Sequence, residues 1–436
     1  MSAGRVAVIG GGASGLLAAL HLLKAGQNKV TLIERAHRPG RGVAYSTRRP
    51  EHLLNVPARR MSAFADAPDH FAAWYAAKGY TALGGSAEGF APRMVYGDYL
   101  EELLAGAGDR IETVAGDAVA VTDAGVALAD GRRIAADAAI LALGNFRPAT
   151  PRPLDPEALG RLYLADPWAA DVAEGLGAGD VILLLGTGLT AVDAALTLDA
   201  SGFAGRILAL SRRGLAPRGH GPRDPADTPG EKLPSNCVAL LRRVRARSEE
   251  AGWRSAVHEL RAVTQSLWAS ASPAEQARFL RHLRPWWDVH RHKIAPAIFE
   301  RIAAMQAAGR LAVRAGRVLD ARADGGTALV RIRPRGSDGA ETIRAARIVN
   351  CTGPEADIAR SGEPLLAALI AQGAARPPAC GIGIEVDDRC RVAGAGGALY
   401  AIGPLTRGTF WESVAVPDIR VQAEMVAGEI ALSPLR

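Results

Sequence analysis

Two glycine-rich turns carry the chemistry that can be read from this chain of 436 residues. The first is Gly10-Gly11-Gly12-Ala13-Ser14-Gly15. It follows the apolar run Arg5-Val6-Ala7-Val8-Ile9 and precedes a helical pattern from Leu16 to Gly26; a second apolar run, Val30 to Ile33, then ends on Glu34. Strand, glycine turn, helix, strand and acid in that order form a dinucleotide-binding fingerprint. Gly10 permits the tight turn, Gly12 lets the backbone approach a pyrophosphate, and Gly15 lets the helix lie against the strand. The helix start at Ala13 and Ser14 offers free N–H groups and partial positive charge to phosphates. Glu34 stands where a carboxylate accepts hydrogen bonds from a ribose diol, and its neighbour Arg35 is assigned to the same site.

The second turn is Gly186-Thr187-Gly188-Leu189-Thr190-Ala191, between the buried run Asp180–Leu185 and a helix from Val192 to Ala200. The next apolar run, Arg206 to Leu210, ends on Ser211-Arg212-Arg213 instead of an acid. A carboxylate there would repel a 2′-phosphate, whereas guanidinium groups bind one bidentately. The first turn therefore reads as an FAD site and the second as an NADP(H) site. Two such units in one chain imply hydride passing from one dinucleotide to the other.

The surrounding pattern predicts an α/β protein with two Rossmann-like dinucleotide-binding domains and an inserted helical segment. Residues 1–150 and 350–436 are expected to form the FAD domain, 176–349 the NADP(H) domain, and 218–308 a helical insertion within it. Helices are expected at 71–77 and 96–105. Ile111–Val114, Ala118–Thr122, Gly125–Leu128 and Arg132–Ile134 read as a meander with a hairpin turn at Asp130-Gly131; Val119, on its second strand, is assigned to the first cofactor site. Three apolar strands end in glycine and allow a ligand close to the backbone: Ala138 to Gly144, Ala346 to Gly353, and Leu399 to Gly403-Pro404. Leu311–Ala315 and Arg317–Ala321 read as two strands, and Pro417 to Leu432 as a closing helix. His52–Met61 is irregular, and within it Asn55 has two readings, a hydrogen-bonding group at the flavin ring or a turn asparagine. The insertion carries many arginines and the dense run Arg281–Lys293, whose aromatic, imidazole and basic groups suit a wall over the active site. That run lacks the partners of a metal site, and no metal is expected.

The formal charge of +7 admits an anionic cofactor or substrate without choosing one. Cys237, Cys351, Cys380 and Cys390 are widely spaced with no CxxC, which argues against a disulfide framework and a dithiol redox centre. No apolar run approaches a membrane span, and the first strand begins almost at once, so a cytoplasmic location is expected.

These features resemble the two-dinucleotide-binding-domain flavoproteins, and within them the bacterial FAD/NAD(P)-binding proteins called YdhS-like. The resemblance rests on Gly10–Gly15 with Glu34, His52–Met61, Leu143–Pro148, Gly186–Asp193, Trp286–His292, Asn350–Pro354 and Ala401–Gln422. More widely, the chain is similar to class B flavin monooxygenases, including N-hydroxylating ones. Gly144, Phe146, Pro148, Tyr163 and Trp168 keep the outline of their signature, but Asp166-Pro167 stands where its histidine belongs. The resemblance implies an NADPH- and FAD-dependent monooxygenase that uses O2 on a small-molecule substrate, with Asn55, Arg407 and Glu412 near the flavin. It leaves two other readings: a flavin reductase or dehydrogenase without oxygen insertion, and a flavoprotein whose basic insertion binds RNA, the least favoured.

Overall fold

Short apolar runs rich in valine, isoleucine and leucine make the strands. In the first half these are β1 (Val6–Ile9), β2 (Val30–Glu34), β3 (Ile111–Ala115), β4 (Ala118–Thr122), β5 (Gly125–Leu128), β6 (Arg133–Ile134), β7 (Ala138–Leu141) and β8 (Tyr163–Leu164). The second half adds β9 (Val181–Leu185), β10 (Arg206–Ser211), β11 (Leu311–Asp324), β12 (Thr327–Pro334), β13 (Glu341–Ala345), β14 (Arg347–Asn350) and β15 (Ala398–Ala401). The computed structural model describes residues 4–36, 38–80, 89–168, 171–221 and 233–432.

The strands build two Rossmann-like sheets and a small antiparallel one. The first sheet has the order β15-β7-β1-β2-β3 and is parallel throughout. Ile9 lies level with Ile33 on one side and Leu141 on the other, so the ends of β1, β2 and β7 share one edge. The second sheet has the order β13-β12-β11-β10-β9-β14-β8. At its centre β9 runs parallel to β10 and β14, with Leu185 level with Leu210 and Asn350. The two centres are thus laid out alike: a glycine turn leaves the middle strand where both neighbours also end.

Burial on both faces explains why these strands read as continuous apolar runs. Val6 and Val8 pack against the helices Ala13–Lys24 and Val416–Leu432, while Ala7 and Ile9 face the other way, toward the helix Pro364–Ala371. In the second sheet Ile182 and Leu184 meet the helices Leu189–Ala200 and Pro296–Ala307. Leu183 and Leu185 meet Val330 and Ile332 of β12.

Two expectations about strands need correction. Ile111–Ala115 is not part of the meander, which consists of β4, β5 and β6; it pairs parallel with β2, from Val30–Ile111 to Glu34–Ala115. Only Ile111 of this edge strand is buried. Its alternation therefore looks like that of an antiparallel hairpin strand. The two strands expected at 311–321 are one. Its first part runs parallel to β10 and its second antiparallel to β12, with an irregularity between Val318 and Asp320. Gly316 stands at the junction, where a Cβ would come within 2.9 Å of the Arg333 carbonyl oxygen.

The insertion folds as helices. Asn236 caps the longest, Cys237–Glu259, by accepting from the Val238 and Ala239 N–H groups, and Gly252 (φ 76°) kinks it. Thr264–Ser270, Pro273–Arg278, a π turn at Phe279–Leu283, and Arg284–Arg291 follow. Residues 222–232 of the expected insertion lie outside the described residues.

The two fingerprint helices differ at one contact with a measurable consequence. A Cβ on Gly15 would sit 1.8 Å from the Gly10 carbonyl oxygen, whereas the second unit holds a buried Ala191 at the corresponding place. We expect Gly15→Ala to destabilise the chain by at least about 3 kcal/mol, at or beyond the upper end of overpacking costs. Ala191→Gly should cost only about 1 kcal/mol through helix propensity. Urea denaturation of both variants measures the difference; equal losses would mean that the helix shifts freely at Gly15.

Candidate functional site

The first turn is a backbone cradle. Gly10 has φ 100°, and a Cβ there would lie 2.5 Å from the Ala142 carbonyl oxygen at the end of β7. Gly12 begins the helix in an extended conformation with no side chain capping the helix, leaving N–H groups for an anionic ligand. Ala13 and Ser14 form the first turn of this helix, and Ser14 is buried. The Glu34 carboxylate is held at the cradle: one oxygen accepts from the Gly11 N–H at 2.7 Å and the other from the Ala36 N–H at 2.8 Å. A Cβ on Gly11 would strike the Glu34 side chain at 2.7 Å. A close-approach turn, an uncapped helix start and an acid at the next strand end fit the pyrophosphate and ribose of FAD.

The remaining residues assigned to this site occupy different roles. Arg35 pairs with Glu363 at 2.6 Å and Asp117 at 3.3 Å, so it ties the strand end to the protein. Val119 sits at the irregularity between Ala118 and Ala120 in the β4–β5 pairing. Gly144 (φ 68°) and Gly403 (φ 72°) follow β7 and β15. The Gly403 N–H donates to Gln422 at 2.8 Å, and Pro404 continues into a 3-10 turn. Gly353 (φ 86°) follows β14 of the second sheet.

The second turn repeats the first. Gly186 has φ 124°, and a Cβ there would lie 2.1 Å from the Cys351 carbonyl oxygen. Gly188 starts the helix without a side-chain cap, with Leu189 and Thr190 half-buried in the opening turn. Thr187 Oγ1 lies 2.5 Å from the Leu215 carbonyl oxygen and 2.9 Å from Ser211 Oγ, lacing the turn to the loop after β10. These groups fit a second dinucleotide. The arginine pair divides its duties. Arg213 donates to the carbonyls of His282 at 2.7 Å and Arg281 at 3.2 Å, so it anchors the insertion, while Arg212 is exposed at the strand end.

Sequence reasoning missed the polar seam between the two units. Arg93 donates to Asp193, on the second fingerprint helix, at 2.5 Å. His52 Nε2 lies 2.9 Å from Thr197 Oγ1 and 3.2 Å from the Asp193 carbonyl oxygen, and His52 Nδ1 lies 2.8 Å from Thr47 Oγ1. Asn55, expected at the flavin, offers its carbonyl to His220 of the insertion at 3.0 Å. A further missed residue is Arg41. It is buried and bonds Asp98 and Glu101, fixing the loop over the first turn to the helix Arg93–Ala107. The one local signal for the seam is an aspartate in the otherwise apolar face Ala191–Ala195.

Arg407 and Glu412 lie where the C-terminal block meets the insertion. Glu412 is buried and accepts from Arg291 at 2.7 Å, which makes it a structural acid. The Arg407 guanidinium lies 4.2 Å from the centre of the Trp411 ring, and Trp411 stacks on Trp268 at 4.8 Å. Asn55, Arg407 and Glu412 thus have separate partners. Among the described residues all four cysteines are free, no group of three His, Cys, Asp or Glu side chains could hold a metal ion, and no helix is long and apolar enough to cross a membrane.

Residues 7–146 match the FAD-NAD(P)-binding family, so the first unit is an FAD-NAD(P)-binding domain. No curated protein matches the chain. The fold is that of two-dinucleotide-binding-domain flavoproteins. It is similar to ornithine N-hydroxylase from Kutzneria sp. 744, solved with reduced FAD, NADP+ and L-ornithine, with a TM-score of 0.70, 14% identity and 98% of each chain covered. It is also similar to L-lysine 6-monooxygenase from Pseudomonas syringae, with a TM-score of 0.67, 15% identity and 99% of this chain and 100% of that one covered. Thioredoxin reductase from T. acidophilum gives a TM-score of 0.56 at 12% identity, over 99% of this chain and 98% of that one.

The seam makes stability depend on pH in two opposing ways. Burial lifts the Asp193 carboxyl to about 6 despite the Arg93 charge, and burial aided by Arg93 pushes His52 down to about 4. The folded chain holds the Asp193 proton more tightly than the unfolded chain, so that contribution is lost as pH rises from 3.8 to about 6. The His52 contribution runs the other way and is lost as pH falls from 6.5 to about 4. We expect Asp193→Asn, which leaves Arg93 unpaired, to cost about 3–5 kcal/mol overall and to make stability climb more steeply from pH 4 to 6 than in the parent. His52→Gln should flatten or reverse that climb. Urea midpoints across this range report both slopes, and parallel curves for all three proteins would refute the assignment.

Proposed function

We propose that the chain is an FAD-dependent NADPH oxidoreductase, and specifically a monooxygenase that uses O2 on a small-molecule substrate. One observation carries the reading. The parallel centre of each sheet ends in the same cradle, with Gly10 against the Ala142 carbonyl in one and Gly186 against the Cys351 carbonyl in the other. Each cradle opens an uncapped helix of twelve residues. Glu34 suits a ribose diol, and Arg212 suits a 2′-phosphate.

A flavin held at the first cradle would supply a hydride acceptor for NADPH and, in its reduced form, reactivity toward oxygen. The chain binds and orients. The N–H groups at Gly12–Ser14 and Gly188–Thr190 take the two pyrophosphates. The helix Val416–Leu432 packs on Gly403 through Ile419 and Gln422 and brings a positive helix end toward the ends of β7 and β15. The insertion, pinned by Arg213 and by the Arg291–Glu412 pair, excludes water from that side. The wide spacing of Cys237, Cys351, Cys380 and Cys390, with no CxxC, favours oxygen chemistry over dithiol reduction.

Purified protein should carry FAD and oxidise NADPH in preference to NADH. We expect Arg212→Ala to weaken NADPH by about tenfold or more, the worth of one charge-assisted hydrogen bond, with little change for NADH. Arg213→Ala should impair both alike, because it loosens the insertion. Initial rates against each nucleotide measure this; an NADPH-selective loss at Arg213 instead would reverse the assignment. Monooxygenation is tested by stoichiometry. With substrate, oxidised product should match NADPH consumed, whereas hydrogen peroxide equal to NADPH under every substrate would reduce the protein to an oxidase or flavin reductase.

A further inference from the structure

The two units correspond beyond their glycine turns, and there the charges are reversed. In the first sheet Glu34 at the end of β2 lies level with Ala115 of β3, and Gly116-Asp117 follow. In the second, Ser211 at the end of β10 lies level with Ala315 of β11, and Gly316-Arg317 follow. Each glycine stands where the chain leaves the parallel sheet for antiparallel pairing, and each is crowded. A Cβ would lie 2.8 Å from the Leu128 side chain at Gly116 and 2.9 Å from the Arg333 carbonyl oxygen at Gly316. In the first unit the side chain after the glycine reaches the residue after the strand end: Asp117 pairs with Arg35 at 3.3 Å. The residues at the equivalent places in the second unit are Arg317 and Arg212. Where one unit has an ion pair, the other has two guanidinium groups.

No acid matches this pair. Among the described residues Arg212 and Arg317 make no ion pair, and both are exposed. Ser211, standing where the first unit has Glu34, accepts from Thr187 Oγ1 at 2.9 Å and the Gly214 N–H at 3.0 Å. Of the nearby acids, Asp320 pairs with Arg331 at 2.8 Å and Glu341 with Arg314. Arg333 of β12 lies directly opposite Arg317. Like charges so placed destabilise a strand pair and raise the local positive potential. This charge sits at the edge of the sheet where β9 and β10 end and the Gly186 turn begins. A phosphate monoester carries about −1.5 to −2 charge near neutral pH. One arginine leaves such a group under-balanced, and two match it.

We propose that Arg317 is the second anchor of the NADPH 2′-phosphate, and so a determinant of specificity for NADPH over NADH. Arg212 meets the phosphate from the end of β10, and Arg317 meets it from β11. Arg333 adds positive potential behind Arg317. In the first unit the same two positions hold Arg35 and Asp117, which satisfy each other and leave Glu34 to a ribose diol. The inverted charge at position 317 thus belongs with the loss of the acid at Ser211. The proposal rests on the NADP(H) reading of the second turn, and it can be tested by binding without turnover.

The probes are adenosine 2′,5′-bisphosphate and adenosine 5′-monophosphate, which differ only in the 2′-phosphate. Each is titrated calorimetrically into the protein as purified. We expect the parent to bind the bisphosphate more tightly. Arg317→Gln should lose about tenfold in affinity for the bisphosphate, the worth of one charge-assisted hydrogen bond, with the monophosphate unchanged. Arg317→Asp, which installs the acid of the first unit, should lose more, and Arg317→Lys should fall between the parent and the glutamine variant. Arg333→Gln should lose less than Arg317→Gln, because it acts through potential alone. Circular dichroism confirms folding; if the glutamine variant does not fold, the lysine variant carries the comparison. The proposal is overturned if Arg317→Gln prefers the bisphosphate as strongly as the parent does. It is also overturned if both ligands weaken equally, since Arg317 would then support the fold and not the 2′-phosphate. Failure of the NADP(H) reading looks different: the parent itself then binds the two ligands alike, and the proposal falls with that reading.

Discussion

At each of two points the backbone of a turn touches the backbone of a neighbouring strand with no room for a side chain. At Gly10 the neighbour is the Ala142 carbonyl, and at Gly186 it is that of Cys351. These contacts decide where the helices Ala13–Lys24 and Leu189–Ala200 begin. Because the turn cannot lift off the strand beside it, the helix must start at the edge of the sheet where the parallel strands end. Because Gly12 and Gly188 provide no capping side chain, the first N–H groups of both helices face that edge unmatched. A ligand phosphate resolves what the fold leaves unsatisfied. The two turns share little sequence beyond their glycines, so the repeat is one of geometry. What distinguishes the two sites is the residue at the next strand end, an acid in one and Ser211-Arg212 in the other.

Two cradles are useful only if they are held in a fixed relation, and the seam behind the second helix does this. Arg93 and His52 come from the first unit, and Asp193 and Thr197 from the helix that opens at Gly188. A buried ion pair of this kind adds little net stability, because desolvation offsets most of the attraction. It does penalise every arrangement in which the partners are apart. The same helix therefore offers its start to a dinucleotide and its buried face to the other unit, and a shift of one is felt at the other.

Local pattern disclosed much of this. Val6–Gly15 with Glu34 and Val181–Ala191 announce themselves because strand, turn and helix are contiguous and each residue type has a steric reason. The Ile111–Ala115 strand looks in sequence like part of the meander, because an edge strand that buries one residue alternates like a hairpin. Arg213 resembles a phosphate ligand in the sequence, because nothing near it there shows the carbonyls of Arg281 and His282 coming to meet it. Arg41, Arg93 and His52 stayed hidden for the same reason: their partners lie 57 and 60, 100, and 145 residues away. Spacing reveals chemistry carried by neighbours; chemistry assembled from distant segments needs the fold.

The junction of the insertion with the C-terminal block is built differently from the four larger cores. Its buried apolar residues are Trp268, Ile382 and Trp411. Around them, buried polar atoms go unmatched, among them Trp287 Nε1, Asp288 Oδ1, Arg291 Nε, Arg407 Nε and Trp411 Nε1. Each such atom costs about 1–3 kcal/mol, while fully burying a large apolar side chain contributes about 1.5–3 kcal/mol. The balance is poor for a surface whose purpose is to hold two segments together. The Arg291–Glu412 pair holds the two segments together within this junction, and the Arg213 contacts hold the insertion from another side. Much of the hold on the insertion thus comes from a few charged and backbone contacts, with the apolar packing of this junction adding less than that of the larger cores.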